Sequence, residues 1–178
     1  QPESSAASDV YKRQVDGVDD NSVAFAARLM EKGVEVRIID KEALLSKQSL
    51  SRGSIAVLAM DNPEYQDLSE TVNSIATELD ISVLSIESGF GAEELPDWGG
   101  RHFRLLERPQ IAILSQSGFS SYDVGVSWWS LDHHLGIRHS QIDASLVNYA
   151  DLRRYNTIIL PSGYRDMGEY EKKVLSDW

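Results

Sequence analysis

The sequence contains no cysteine among its 178 residues. This absence excludes disulfide bonds, thiolate metal ligands and a thiol nucleophile from these residues. No apolar run approaches the roughly 20 residues that a membrane-spanning helix needs. Basic residues are also few, since 17 Lys and Arg stand against 28 Asp and Glu, a formal net charge of −11. Phosphate-backbone binding needs clustered Lys and Arg, so we expect no nucleic-acid partner. We expect no membrane partner either, because no apolar run is long enough to span a bilayer.

Two apolar runs, each followed by a polar turn that contains glycine, organise the sequence. Residues 110–114 (QIAIL) form the first run and residues 157–160 (TIIL) the second. Buried strand, polar turn and helix in alternation indicate an α/β fold with a parallel sheet. Ligands of such sheets lie outside the carboxyl ends of the strands. The candidate ligand-binding residues are therefore those of the two turns, Ser117, Gly118, Ser162 and Gly163. Turn formation without a ligand is the alternative role for them.

The composition, with 42% hydrophobic and 25% charged residues, is typical of a folded, soluble protein. Its length suffices for one large or two small domains. We predict two incomplete α/β units, residues 15–107 and residues 108–178, after a non-native first segment.

That first segment comprises residues 1–14. Back-translated, residues 4–14 (SSAASDVYKRQ) resemble a transposase adapter used to prepare DNA for sequencing. Such segments are set aside before a fold is inferred. We expect residues 1–14 to be adapter-derived and the chain to be a fragment of a longer protein. A native, disordered tail is the alternative.

Residues 15–107 show helical and strand patterns in alternation. A helix is predicted from Ser22 to a stop at Gly33, and a second helix is predicted to begin at Asn62 as cap with Pro63 in its first turn. Residues 41–51 are predicted to be a short helix or loop. Strands are predicted at residues 34–38, 54–59, 82–86 and, at the sheet edge, 102–106. A glycine-rich connector, residues 87–101, precedes the last of these.

Residues 108–178 are predicted to contain a helix that runs to Leu135 and is ended by Gly136. Of the two adjacent tryptophans in this helix, one is expected to face the core, and Trp129 is a candidate for a pocket rim or interface. A strand is expected at residues 141–144, a short helix or turn at 148–155, and a last helix from Gly168 onward.

The residues that could support chemistry are sparse. His133, His134 and His139 form the histidine cluster, but adjacent helical residues point about 100° apart and do not converge easily on one ion. A polar helix end is the favoured interpretation, and we predict no metal site. The turns at Ser117 and Ser162 lack the Gly-x-Ser-x-Gly pattern of a nucleophile elbow. We therefore predict no catalytic residue.

The second unit resembles a known family at residues 108–114 (RPQIAIL), 123–131 (DVGVSWWSL) and 152–163 (LRRYNTIILPSG). These stretches are similar to a class I glutamine amidotransferase-like domain, in the version attached behind the catalytic domain of bacterial zinc carboxypeptidase-like proteins. The first unit is similar to the linker region that precedes this domain. Its cues are residues 26–30 (AARLM), 33–36 (GVEV), 52–53 (RG) and 102–106 (HFRLL).

The resemblance implies parallel-sheet, flavodoxin-like layers and a parent protein that is a zinc metallopeptidase, a hydrolase. Zinc carboxypeptidases bind their metal through a His-x-x-Glu motif and a later histidine, and neither pattern occurs here. Zinc is therefore expected only in a peptidase domain upstream in the same chain, which is also the expected partner. The function implied is a non-catalytic accessory region of a secreted or periplasmic peptidase, with a structural or substrate-access role.

Two alternatives stay open. The chain could be a small-molecule binding module that uses the two turns. It could also be a truncated amidotransferase-type hydrolase, since that family carries its catalytic cysteine on an elbow downstream of a turn like that at Pro161. Such an elbow would lie beyond Trp178.

Overall fold

The computed structural model describes residues 21–45, 48–85, 100–164 and 166–178, and the backbone of residues 12–15. The chain divides into two compact units, Gln1–Glu107 and Arg108–Trp178. Among the described residues, no helix has the length and apolar character to cross a membrane.

The described residues of the first unit form two helices, a five-stranded sheet and a separate two-stranded hairpin. Its elements in chain order are β1 (Lys12–Val15), α1 (Ser22–Glu31), β2 (Arg37–Ile39), β3 (Ala43–Leu45), β4 (Gln48–Leu50), β5 (Ile55–Leu58), a 3-10 turn (Ala59–Asp61), α2 (Leu68–Glu78), β6 (Leu84–Ser85) and β7 (Phe103–Leu105). The order in the large sheet is β6-β1-β5-β2-β7, and β3 pairs with β4.

Strand β5 separates the two halves of this unit's core. Its four residues are all buried. Because successive side chains of a strand point to opposite faces, Ile55 and Val57 pack with the apolar stripes of α1 and α2. Ala56 and Leu58 pack instead with the β3–β4 hairpin and Phe103 of β7. The sheet is thus covered on both faces.

The predicted parallel sheet is wrong for the first unit, because β1 pairs with β5 and β6, and β2 with β5 and β7, antiparallel in every case. Parallel neighbours need a long crossover, usually a helix. The chain between β2 and β5 forms the β3–β4 hairpin instead, so the helix or loop predicted for residues 41–51 is also wrong.

The predicted start of the second helix is wrong as well. Helix α2 begins at Leu68, not at Asn62 and Pro63. The amide of Asn62 is used in tertiary contacts: it accepts a hydrogen bond from the backbone N–H of Glu35 (2.7 Å) and donates to the carbonyls of Glu35 (3.1 Å) and Leu58 (2.9 Å). The helix predicted from Ser22, its stop at Gly33 and the edge strand at 102–106 are confirmed.

Two predictions fall partly or wholly outside the described residues. Most of the glycine-rich connector, residues 87–99, lies outside them. So do residues 1–11 of the segment assigned to an adapter. Residues 12–14 of that segment belong to β1, whose backbone pairs with β5 and β6.

The second unit is a three-stranded parallel sheet with helices. Its elements are β8 (Ile111–Ser115), α3 (Ser121–Trp129), a π-helical continuation (Ser130–Leu135), β9 (His139–Asp143), 3-10 turns at Ala144–Tyr149 and Leu152–Arg154, β10 (Thr157–Ile159) and α4 (Glu169–Asp177). The order is β10-β8-β9, and both pairs are parallel. A mixed α/β fold with a parallel sheet is therefore confirmed for this unit.

The central position of β8 explains its sequence. All five of its residues are buried, because neighbours lie on both sides and helices or turns cover it. Leu114 packs with Val147 and Leu152 from the 3-10 turns. Gly136 ends the α3 continuation with a left-handed φ of 69°, as predicted.

Candidate functional site

The carboxyl ends of β8 and β10 lie side by side in the second unit, because the strands are parallel neighbours with Ile113 opposite Ile159. The turns that follow them are residues 116–120 and residues 161–164. The structure thus brings together all four candidate ligand-binding residues, and it joins the two turns directly.

Backbone contacts connect the two turns across the strand ends. Phe119 and Gly163 form an antiparallel β-bridge. The N–H of Ser120 donates to the carbonyl of Ser162 (2.8 Å), and the N–H of Tyr164 donates to the carbonyl of Gly118 (2.7 Å). The crevice in which a ligand of such a sheet would sit is therefore spanned by the chain's own backbone.

Side chains add to this connection. The hydroxyl of Ser162 donates to a carboxylate oxygen of Asp123, in the first turn of α3. The hydroxyl of Ser120 caps the same helix by accepting the N–H of Asp123. At Gly163 the approach is tight, since a Cβ there would lie 3.0 Å from the carbonyl oxygen of Gly118 and one of the two turns would have to shift slightly.

The turn after β8 has an unusual backbone. Gln116, Ser117 and Gly118 have φ values of 55°, 41° and 102°. Residues other than glycine adopt this left-handed region at a cost of roughly 1–2 kcal/mol each. The hydrogen bond from the N–H of Phe119 to the carbonyl of Gln116 (2.8 Å) closes the turn. Gln116 and Ser117 are therefore held in a conformation that their side chains disfavour.

Asp143, at the end of β9, fixes the turn from its other side. Its carboxylate accepts the hydroxyl of Ser117 (2.6 Å) and both the N–H (2.9 Å) and the hydroxyl (2.8 Å) of Ser145. The hydrogen bond from Ser117, followed by those from Ser145, lowers the pKa of Asp143 below its ordinary value. This carboxylate is therefore ionised at neutral pH.

The hydrogen bonds of Ser117 and Ser162 favour a structural role for these hydroxyls over a nucleophilic one. A nucleophilic serine needs a base whose pKa lies near the working pH. The partner of Ser117 has a lowered pKa and accepts three hydrogen bonds, which makes it a weak base. Ser162 is likewise a donor to a carboxylate. Both hydroxyls thus fasten turns to neighbouring elements.

Sequence reasoning did not identify Asp123, Asp143 or Ser145 as part of this site. The spacing of Asp143 and Ser145 is that of a capping residue and the second amide beyond it, which is a recognisable local signal. Asp123 and Ser162 are 39 residues apart. No local pattern could have paired them.

Trp129 lies at a rim, where one of the two tryptophans was predicted to lie. It is 52% exposed, and its ring stacks on that of His133 with centroids 4.9 Å apart. Tyr122, Val126 and Trp129 line a shallow depression over Gly125. Trp128 is 42% exposed, so the expectation that the other tryptophan faces the core is wrong.

A metal has no evident donor set in the part of the chain that the structure describes, since no three His, Asp or Glu side chains there are grouped to hold an ion.

The chain matches no protein-family profile, no curated protein and no solved structure. The family and the function are therefore proposed on the residues and their geometry alone.

Proposed function

We propose that this chain is a non-catalytic accessory region of a secreted or periplasmic zinc carboxypeptidase-like peptidase, with a structural or substrate-access role. The observation that carries this proposal is the fastening of the turns at the ends of β8 and β10 to each other and to Asp123 and Asp143. An edge whose hydroxyls are engaged by the carboxylates of Asp123 and Asp143 suits a rigid support.

The parent resembled by the sequence is a hydrolase in which zinc polarises the scissile carbonyl and activates water. In our proposal that ion and its ligands belong to an upstream domain of the same chain. The strand order of the second unit, with the first strand between the second and third, is that of the opening strands of a flavodoxin-like sheet. This order supports the amidotransferase-like resemblance.

The accessory role is tested with variants in the full-length protein, expressed from its complete gene. Ser117→Ala with Ser162→Ala removes both hydroxyls, and release of a C-terminal residue from a peptide is then measured below the melting temperature. We expect kcat/KM to stay within about threefold, because neither hydroxyl takes part in the reaction. A loss of about a hundredfold or more with the fold intact would show that these serines act in catalysis.

The second candidate function is a small-molecule binding module, and one observation favours it. Ligands of parallel sheets bind at the point where strand order reverses, which here lies between β8 and β10. Thermal-shift screening of the chain with anions, sugars and amino acids tests this function. A ligand-dependent rise in Tm that Gly163→Ala reduces supports it, and no shift across the panel counts against it.

A further inference from the structure

Helix α3 carries apolar side chains on the side that faces away from its buried residue. Val124 is the buried residue of this helix. At about 100° per residue, Tyr122, Val126 and Trp129 lie roughly 140–200° around the helix from Val124, and all three are exposed. A surface helix ordinarily has polar residues there. We propose that this side of α3 binds a small organic cation with an alkylated ammonium group, in the depression over Gly125.

The depression is formed by α3 alone. Its volume is about 370 Å³, and it is lined by Ser121, Tyr122, Gly125, Val126 and Trp129. Tyr122 and Trp129 stand seven residues apart, so they share one side of the helix at a spacing of roughly 10 Å along its axis. Gly125 lies between the two aromatic residues. The volume falls within the range of small-ligand sites, roughly 300–1,000 Å³.

Gly125 keeps the floor of the depression open. Glycine in the interior of a helix is destabilising relative to alanine. A Cβ at this position would meet nothing within 4 Å, so packing against the described residues does not require glycine here. The space above Gly125 is instead the space in which the ligand would lie.

The wall at Trp129 is held in place before a ligand binds. Its ring stacks on that of His133, with centroids 4.9 Å apart and an interplanar angle of 19°. Half of the Trp129 side chain nevertheless remains exposed. Because the stacking limits the motion of the ring, little conformational freedom is lost when a ligand contacts it.

The chemistry of the lining favours a cation over a sugar. Its polar side-chain groups are the hydroxyls of Ser121 and Tyr122, whereas specific recognition of a polar ligand needs several convergent polar groups. Aromatic faces attract cations through the ring quadrupole. From residue 121 to residue 135 the sequence contains Asp123 and Asp132 but no Lys or Arg. The charge of this segment therefore also favours a positively charged ligand.

The exposed apolar area of this side of α3 is too small for a protein partner. Tyr122 is 77% exposed and Trp129 is 52% exposed. Since a large aromatic side chain offers about 150–250 Å², the two rings and Val126 together present on the order of 300–400 Å². A standard protein interface takes roughly 800 Å² from each partner. The area thus suits a small solute rather than a second chain.

A nuclear magnetic resonance titration of the 178-residue chain with choline tests the site. The backbone amide of Gly125 and the indole N–H of Trp129 should shift together and saturate in the millimolar range. The matched control ligand is the neutral isostere of choline, in which carbon replaces the ammonium nitrogen, at the same ionic strength. We expect choline to bind at least roughly threefold more tightly than the isostere, because the ring quadrupoles attract only the cation.

Two variants alter the site in different ways. Trp129→Leu keeps an apolar side chain but removes one aromatic face, and the preference for choline over the isostere should fall by at least about half. Gly125→Leu fills the floor, and the affinity for choline should fall at least roughly tenfold. The Tm of this variant should not fall, since leucine favours a helix more than glycine does. The matched control Trp128→Leu, at the adjacent tryptophan outside the depression, should keep both the affinity and the preference.

Several results would overturn the proposal. Equal binding of choline and its isostere would show a general apolar site, and a response to methyl glucoside but not to choline would show a saccharide site. Signals of Gly125 and Trp129 that shift with protein concentration alone would place a second copy of the chain in the depression. No response up to about 100 mM choline would show that the cation does not bind. None of these results bears on the accessory role, which the full-length protein tests separately.

Discussion

At the scale of single residues, Arg37 connects three segments of the first unit. Its guanidinium makes a bidentate pair with Asp61 (2.7 and 2.8 Å) and donates to the carbonyl of Phe103 (2.9 Å). The hydrogen bond that Arg37 donates to Asp61 raises the pKa of Arg37 above its ordinary value. Both side chains are largely covered, with 24% and 13% exposed. The planar guanidinium of arginine suits a mostly buried position of this kind, because it can donate two parallel hydrogen bonds to one carboxylate.

We expect Arg37→Ala to lower the free energy of unfolding of the first unit by about 3 kcal/mol, because Asp61 would keep a mostly buried charge without its partner. The control is Arg153→Ala, whose pair with Asp151 is exposed at 88% and 49%. Its loss should be much smaller, because exposed ion pairs contribute little to stability. Urea denaturation measures both. Similar small losses for the two variants would contradict a structural role for Arg37.

Asp143 gives the second unit a pH dependence. Its pKa is lowered in the folded protein, so its stabilisation is present above the unfolded value of about 3.9 and is lost as pH falls through the lower folded value. We expect the difference in Tm between wild type and Asp143→Asn to be constant from pH 7 to about 5 and to shrink below about pH 4. A difference that stays constant down to about pH 3 would show that ionisation of Asp143 is irrelevant.

At the scale of elements, Asn62 has the sequence pattern of a helix cap but makes tertiary hydrogen bonds instead. Asn before Pro is a good start for a helix, yet its buried amide contacts Glu35 and Leu58. The variant Asn62→Asp separates the two roles. Aspartate caps helices well, but it cannot donate to the two carbonyls.

We therefore expect Asn62→Asp to lower the free energy of unfolding by about 2 kcal/mol, the cost of unsatisfied buried groups. Thermal or urea unfolding of the first unit provides the measurement. The control is Asp67→Asn, at the residue before α2, which should be nearly neutral. A neutral Asn62→Asp would restore the capping interpretation.

The elements themselves were predictable to different degrees. In the second unit, β8 and the α3 stop at Gly136 carry strong local signals, an apolar run and a left-handed glycine. In the first unit, strands of two to four residues give weak patterns, and their direction depends on pairing between distant segments. The turns of the candidate site could be predicted, because they come directly after the two apolar strands in the sequence. Their partners Asp123 and Asp143 are set by the tertiary fold.

At the scale of the whole molecule, an edge of the parallel sheet is the expected site of self-association. Strand β10 ends the described sheet order and is followed by half-exposed Leu160. Edge strands with apolar side chains promote association between chains. We expect concentration-dependent self-association in analytical ultracentrifugation, reduced by Leu160→Lys. Leu146→Lys, at an equally exposed leucine away from this strand, should not reduce it. Equal effects of the two variants would exclude β10 as the contact.

The central claim, an accessory region of a zinc carboxypeptidase-like protein, is tested most directly by determining the coding sequence that adjoins these residues in the same DNA. The account predicts an upstream domain in the same reading frame that contains a His-x-x-Glu motif and a later histidine. A complete upstream coding sequence without such a domain would contradict it.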